Sequence, residues 1–311
     1  MFEIGEVRMN KIGAVIVTYN RLEKLKNALT AYEAQIVQPD YILVVDNNST
    51  DGTSEYLKQW MSQDSPITHE VLTLEKNMGG SGGFYAGIKA ALEKDIAWLW
   101  VADDDAYPEN TCLQRMIAYI SSHKMEQISA LCASVCTNGK IALWHRRRFI
   151  KRYGLVLDEQ KISEKEYEKV VFSLDLFSYV GSLMKTSAVK KAGLPEKDFF
   201  IAYDDSEHSI RMRKQGQILC LPDAKVIHDT PDTDDTKITW KKYYTLRNKV
   251  YSYRKHFGVL QGLFQECYFL LKNRKNNTLF CMTKQAMDDA KKEILGQHTL
   301  YRPGWKEEKG Y

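Results

Sequence analysis

Trp98-Leu99-Trp100-Val101-Ala102-Asp103-Asp104-Asp105 is the stretch whose reading decides the fold of this 311-residue chain. Its first five residues are apolar and strand-prone, and they run into three adjacent carboxylates that packing alone does not explain. Like charges in a row repel, so the triplet calls for a cation. In an α/β protein ligands bind at the carboxyl ends of strands, where a hard divalent ion can be held by such carboxylates. The plainer alternative is an acidic strand-to-loop corner.

Upstream of the triplet, strand and helix patterns alternate. Ile12 to Tyr19 reads as a buried strand, and Leu22, Leu25, Ala28, Leu29 and Tyr32 recur at helical spacing. Tyr41 to Val45 is a second strand, ending in the turn formers and helix N-caps Asp46-Asn47-Asn48-Ser49-Thr50-Asp51-Gly52-Thr53 ahead of a helix through Tyr56, Leu57 and Trp60. A third strand over Val71 to Leu74 meets the glycine-rich loop Asn77-Met78-Gly79-Gly80-Ser81-Gly82-Gly83, followed by a helix from Phe84 to Leu92. This order predicts an α/β fold with a mostly parallel, Rossmann-like sheet flanked by helices. Downstream, residues 110–123 read as a helix and 128–135 as a strand. The charged segment from Asn138 to Lys169 reads as loop-rich, with the basic cluster Arg146, Arg147, Arg148, Lys151 and Arg152. From Trp240 onward the pattern is mainly helical, including an apolar stretch from Phe257 to Leu271.

With 44% apolar and 27% charged residues, the composition excludes a disordered chain. Six cysteines (Cys112, Cys132, Cys136, Cys220, Cys267, Cys281) are scattered without a CxxC pair, as in a reduced cytoplasmic protein. No signal-like segment precedes Ile12, and no apolar run reaches the roughly 18 residues of a membrane span. The net charge of +4 conceals an asymmetry, because residues 240–311 carry 15 Lys and Arg against 6 Asp and Glu. The expected organisation is therefore a body over 10–239 and a basic helical extension over 240–311. Such an extension suits a peripheral contact with the inner face of a membrane, a phosphate-bearing acceptor, or pairing in a homo-oligomer. No zinc spacing or RNA-binding aromatic signature points to nucleic acid.

Three successive strand ends, Thr18-Tyr19-Asn20-Arg21, Asp46-Asn47-Asn48-Ser49 and Asn77 with its glycines, form a plausible base and ribose pocket. The Asp46 carboxylate can accept from a pyrimidine N–H, and the glycines allow backbone to approach a ligand. GxGxxG is absent, which argues against a dinucleotide site.

Val17-Thr18-Tyr19-Asn20-Arg21, Val44 to Thr53 and the DxD-type triplet together resemble family 2 glycosyltransferases with the GT-A fold, in order over residues 12–229. Within that family the chain is most similar to bacterial galactofuranosyltransferases and related rhamnosyltransferases. That likeness rests on Asn77 to Phe84, Asp103-Asp104-Asp105, Tyr203-Asp204-Asp205-Ser206-Glu207 with Arg211, His228, and Tyr244-Thr245-Leu246-Arg247-Asn248.

The resemblance implies an inverting, metal-dependent transfer of a sugar from a nucleotide donor to a hydroxyl of a cell-surface glycan or lipid-linked acceptor. Galactofuranose from UDP-galactofuranose is the first choice and dTDP-rhamnose the alternative. Asp103, Asp105 and His228 would hold the metal, a set that suits Mn²⁺ or Mg²⁺. Thr18, Tyr19, Asn20, Arg21, Asp46, Asn77, Gly79, Gly80, Asp104 and Arg247 would bind the donor. Asp205 would be the base, with Asp204 beside it. Trp144, Gly181, Ser182, Tyr203 and Glu207 would border the acceptor, Tyr203 standing where the relatives usually carry tryptophan. A reading from another class is a non-catalytic sugar- or nucleotide-binding module, which has no need of a base.

Overall fold

The computed structural model describes residues 11–231 and 237–306. The first half alternates as β1 (Ile12–Thr18), α1 (Leu22–Glu33), β2 (Tyr41–Asp46), α2 (Thr53–Met61), β3 (Thr68–Thr73), α3 (Gly79–Ala91) and β4 (Trp98–Asp103). A short β5 (Ala106–Pro108) and α4 (Cys112–Ser122) follow, then β6 (Ile128–Thr137) and β7 (Lys140–Ile141). The middle holds β8 (Arg146–Arg152), β9 (Leu155–Lys161), β10 (Phe172–Leu174), β11 (Leu176–Phe177) and β12 (Ser182–Lys185). Next come α5 (Thr186–Ala192), α6 (Asp204–Met212) and the long β13 (Gln217–His228). Three helices close the described chain: α7 (Trp240–Phe257), α8 (Val259–Asn273) and α9 (Asn277–Lys291).

The main sheet has the order β10-β13-β6-β12-β4-β1-β2-β3. Strands β4, β1, β2 and β3 are parallel, as is the β6–β13 pair, while β12 runs antiparallel between β4 and β6. Strands β1, β2 and β4 are continuous apolar runs because both faces are covered, with Ala14, Ile16, Val44 and Trp100 on one side and Val15, Leu43, Val45 and Leu99 on the other. The register Val17↔Asp103 and Thr18↔Asp46 brings the ends of β4, β1 and β2 to the same edge. Thr18, Asp46 and the acidic triplet therefore share one mouth.

Two sequence expectations change. The glycines of Asn77 to Gly83 lie inside α3, which begins at Gly79, so the loop is shorter than expected. Their small size serves helix–sheet contact: a Cβ on Gly83 would stand 2.5 Å from Val17 and one on Gly87 2.5 Å from Val15. The segment 138–169 is also more ordered than its charge suggested. β8 and β9 form a hairpin that pairs with β11 in a second, three-stranded sheet. Arg146, the first residue of that strand, is fully buried and donates to the carbonyls of Ala133, His145 and Val180. Arg147 pairs with the buried Glu159 carboxylate. The basic cluster is thus divided: Arg146 and Arg147 serve the inside of the fold, whereas Lys151 and Arg152 are exposed at the hairpin tip.

The C-terminal helices share core with the body. Tyr253 of α7 packs with Phe149, Phe199, Tyr203 and Ile210, and Phe200 joins Tyr243, Tyr244 and Met282. Among the described residues no helix is long and apolar enough to cross a membrane.

Candidate active site

β4 ends at Asp103, and the next two carboxylates turn into β5, which pairs antiparallel with the end of β13 so that His228 lies opposite Ala106. This pairing, sealed by the Asp229 N–H donating to Asp105 O at 2.8 Å, brings a histidine 123 positions away beside the triplet. Ligand atoms of Asp103, Asp105 and His228 all lie within 4.8 Å of one another. His228 Nε2 stands 3.2 Å from Asp105 Oδ1. That oxygen is buried and lacks a well-aligned hydrogen-bond donor, as is His228 Nδ1, so the site holds polar atoms that its own residues leave unused.

The electrostatics match a cation site. Burial, with the neighbouring Asp105 carboxylate, pushes Asp103 up to about 7. Burial likewise lifts Asp104 to about 6 against the pull of Arg21. Burial also opposes ionisation of Asp105, yet the His228 ring, Arg21 and Lys24 hold it below the usual carboxylate range. Arg21 Nη1 is 2.7 Å from Asp105 and 3.2 Å from Asp104, so a cationic side chain supplies part of the charge that the triplet requires.

The donor-side loops are tied to one another. Thr18 Oγ1 donates to Asp104 at 2.8 Å. Asn20, held at φ 51°, accepts from Thr50 N and donates its own N–H to Ser49 Oγ, joining the β1 and β2 ends. Asp46 is fully buried and accepts from Ser49 N and Ser54 Oγ, each at 2.9 Å. Asn77 caps the first turn of α3 through Gly79 N, while Gly80 faces open space with no atom within 4 Å of a Cβ there. Tyr19 is exposed at the same mouth.

Asp204 and Asp205 open α6, following a loop in which Phe200, Ala202 and Tyr203 all take positive φ. Such a backbone persists only when its surroundings enforce it. Here the Asn248 amide donates to the carbonyls of Phe199, Ile201 and Ala202, and Ser81 N donates to Phe200 O. Burial and the neighbouring Asp205 raise Asp204 to about 7, and Asp204 in turn adds to the upward push on Asp103, so the two acidic sets lie near enough to feel each other's charge. Burial raises Asp205 as well, moderated by Arg147 and by Ser206, whose N–H donates to its carboxylate at 2.5 Å. Arg147 also donates to Ser206 Oγ. Asn248→Ala is expected to cost about 2 kcal/mol by leaving buried carbonyls without donors, measured by urea unfolding.

Several expected site residues lie elsewhere. Arg247 does not point to a donor phosphate: it is buried and donates to Gly296 O, Phe199 O and Asn248 Oδ1. Tyr203 turns inward, its hydroxyl donating to Glu159. Ser182 is fully buried with its hydroxyl on Ser178 O at 2.6 Å. Gly181 is needed as glycine, with φ 68° and a Cβ position 3.0 Å from Val226, and it borders no open acceptor surface. Glu207 is buried between Arg211 Nη2 at 2.6 Å and His256 Nε2 at 2.7 Å. Burial opposes its charge, yet these partners hold it at about 2 against an ordinary 4.5.

A carboxylate with a depressed folded pKa stabilises the fold above its unfolded value and loses that contribution as pH falls through the folded one. Glu207→Gln is therefore expected to cost about 3 kcal/mol at neutral pH. The gap to wild type should close between pH 4.5 and about 2, read from urea unfolding across pH.

Trp144, expected at the acceptor side, lies close to the acidic triplet's histidine. Half exposed, it stacks on His145 with centroids 3.6 Å apart and stands 6.2 Å from the His228 ring, beside a cavity of about 330 Å³ lined also by Asn138, Ala142 and Thr230. The sequence reading missed His145 itself, which is buried edge-on to His228 at 5.0 Å with Nδ1 2.6 Å from Ser178 Oγ. Burial lowers its pKa well below the usual histidine value, keeping the ring neutral. Ser206 and Arg147 were also missed, since only the folded hairpin brings an arginine of β8 to α6.

The family model described as Glycosyl transferase family 2 matches residues 14–186. The chain belongs to glycosyl transferase family 2. As a family 2 member it is a glycosyltransferase, and the matched segment runs from the third residue of β1 through β4 and beyond, with the loops between them. Galactofuranosyltransferase GlfT1 of Mycobacterium tuberculosis is 27% identical over 253 residues, covering 76% of this chain and 80% of its own length. The GlfT1 of Mycolicibacterium smegmatis is 28% identical over 287 residues, covering 84% of this chain and 90% of its own. Among solved structures, GalNAc-T7 with UDP, GalNAc and Mn²⁺ superposes with a TM-score of 0.63 at 14% identity, over 92% of this chain and 57% of that one. The mannosyltransferase PcManGT from Pyrobaculum calidifontis, in complex with GDP-Man and Mn²⁺, gives 0.56 at 16% identity, over 91% of this chain and 75% of that one. These neighbours establish the GT-A fold for this family 2 chain.

Proposed function

We propose that this glycosyltransferase moves galactofuranose from UDP-galactofuranose onto a hydroxyl of a growing cell-surface glycan or lipid-linked acceptor, inverting the anomeric carbon. The observation that carries the reading is the convergence of Asp103, Asp105 and His228 at the strand-end mouth, with Asp204 close enough to act on the Asp103 carboxylate. Similarity to the mycobacterial galactofuranosyltransferases supports the choice of sugar.

Asp103, Asp105 and His228 would hold a divalent cation, Mn²⁺ by the mix of carboxylate and imidazole donors. Bound there, such an ion would neutralise charge on the departing nucleoside diphosphate. Thr18 fixes Asp104, leaving that carboxylate toward the ribose side, and Tyr19, Asn20, Asp46, Asn77 and Gly80 frame the nucleoside. Arg21, half exposed at the mouth, is placed to add positive charge beside the diphosphate.

Asp205 takes the proton of the acceptor hydroxyl while that oxygen bonds to the anomeric carbon and the carbon–phosphate oxygen bond breaks. Burial and the adjacent Asp204 raise the proton affinity of this pair, which suits a base near neutral pH. Arg147 and Ser206 hold the Asp205 carboxylate in place. Trp144 offers a face on which an acceptor sugar can stack.

Calorimetric titration of UDP, dTDP and GDP with and without Mn²⁺ tests the donor. Mn²⁺-dependent preference for UDP is expected. Preference for dTDP would favour rhamnosyl transfer instead, and no nucleotide binding under any condition would overturn the assignment.

A further inference from the structure

Helix α8 is inside out. Its inward face is polar, with Gln261, Gln265, Glu266 and Asn273 buried, while Leu260 is 82% and Leu271 62% exposed, joined outside by Val259, Leu263 and Phe264. The cause lies in the hairpin. Strand β9 is one edge of the three-stranded sheet, and α8 covers that edge: the Gln261 amide pairs with both N–H and C=O of Val156, and Gln265 donates to Leu157 O at 2.7 Å. Satisfying a strand edge requires the glutamines inward, and the apolar side of the helix is left outward.

The hairpin tip adjoins α8 through Val156 and exposes further apolar side chains. Tyr153 is 88% exposed and Leu155 is half exposed, with Ile150 beside them, and Lys151 and Arg152 flank the turn. Charge around this surface is predominantly basic, the nearby acids Asp158 and Glu196 being paired with Lys249 and Lys255. Between residues 251 and 287 the single acid is Glu266, which is buried and paired with Lys291, whereas Arg254, Lys255, Lys272, Arg274, Lys275 and Lys284 are all basic. Residues 150–157 contain no acid at all.

We infer that the α8 outer face and the β8–β9 hairpin tip together form a surface that seats on an anionic lipid bilayer. Large apolar side chains on a rigid scaffold, ringed by lysine and arginine, match the two components of an interfacial site: insertion among acyl chains and attraction to anionic headgroups. A second copy of the chain is a poorer occupant, since a symmetric pairing would bring like charges face to face. The inference rests on surface chemistry and holds whichever sugar is transferred, although it would place the enzyme where a lipid-linked acceptor resides.

Vesicle flotation of the full chain tests it, using phosphatidylcholine alone against phosphatidylcholine with about one-third phosphatidylglycerol. The chain should float with the anionic vesicles, at least about tenfold less with the neutral ones, and less as salt rises. Leu260→Gln with Phe264→Gln, and separately Tyr153→Ser with Leu155→Ser, should each reduce flotation about tenfold without lowering the unfolding temperature, because these side chains are exposed. Light scattering on the same samples reads oligomeric state. Absence of flotation, or flotation unchanged in both variants, would overturn the inference. So would a dimer that the Leu260 and Phe264 substitutions dissociate without any lipid binding, which would assign the face to a second copy. Retained UDP binding in the variants separates failure of this surface from failure of the active site.

Discussion

Replacing Asp105 by Asn is expected to abolish Mn²⁺-dependent nucleotide binding and to lower turnover by roughly 10³-fold. The substitution keeps size and shape at the centre of the cluster, and it removes the carboxylate that stands nearest to His228. It also relieves repulsion within the triplet, where burial and Asp105 already push Asp103 up to about 7. The unfolding temperature without metal should therefore change by no more than about 2 °C. Adding Mn²⁺ should raise the unfolding temperature of the native chain, by preferential binding to the folded state, and leave that of the variant unmoved. Calorimetry with UDP and a thermal scan with and without Mn²⁺ read both effects. Mn²⁺-dependent binding that survives the substitution would remove Asp105 from the metal site.

Asp205→Asn should leave UDP and Mn²⁺ binding intact while kcat falls by roughly 10²- to 10⁴-fold, the range associated with loss of a positioned base. The amide can still accept from Ser206 N–H, so the start of α6 and the loop before it keep their shape. In the native chain the acidic limb of the rate profile should lie above the ordinary carboxylate range near 4, because burial raises both Asp204 and Asp205. The sign is that of a base: activity is lost as pH falls and the group takes up its proton. Steady-state kinetics across pH, beside calorimetry of the variant, separates this outcome from a loss of donor binding. If Asp204→Asn removes activity and Asp205→Asn does not, the base is the other member of the pair.

The strand–helix alternation of the first hundred residues was legible because a parallel sheet buries both faces of its strands, so β1, β2 and β4 are written as unbroken apolar runs. The acidic triplet was legible for the opposite reason, since adjacent like charges are unfavourable unless something compensates them. The register that delivers His228 was not: it depends on β5 pairing with the far end of β13, a contact between segments more than a hundred residues apart. Arginines misled most. A guanidinium can serve a phosphate or a row of backbone carbonyls, and Arg146 and Arg247 both serve carbonyls inside the fold. The glycines after Asn77 were read as a loop because glycine disfavours helix, yet close packing of α3 on Val15 and Val17 overrides that preference. In α8 the apolar periodicity was visible, but the sequence did not say which face would turn inward. That was decided by the unpaired edge of β9.

The most direct test of the central claim is nucleotide release from UDP-galactofuranose in the presence of an acceptor glycan, with dTDP-rhamnose run in parallel and each repeated after chelation. UDP release that requires Mn²⁺, with an inverted anomeric configuration in the glycan product, is the predicted result. Turnover that survives chelation, or consumption of dTDP-rhamnose with UDP-galactofuranose left untouched, would contradict it.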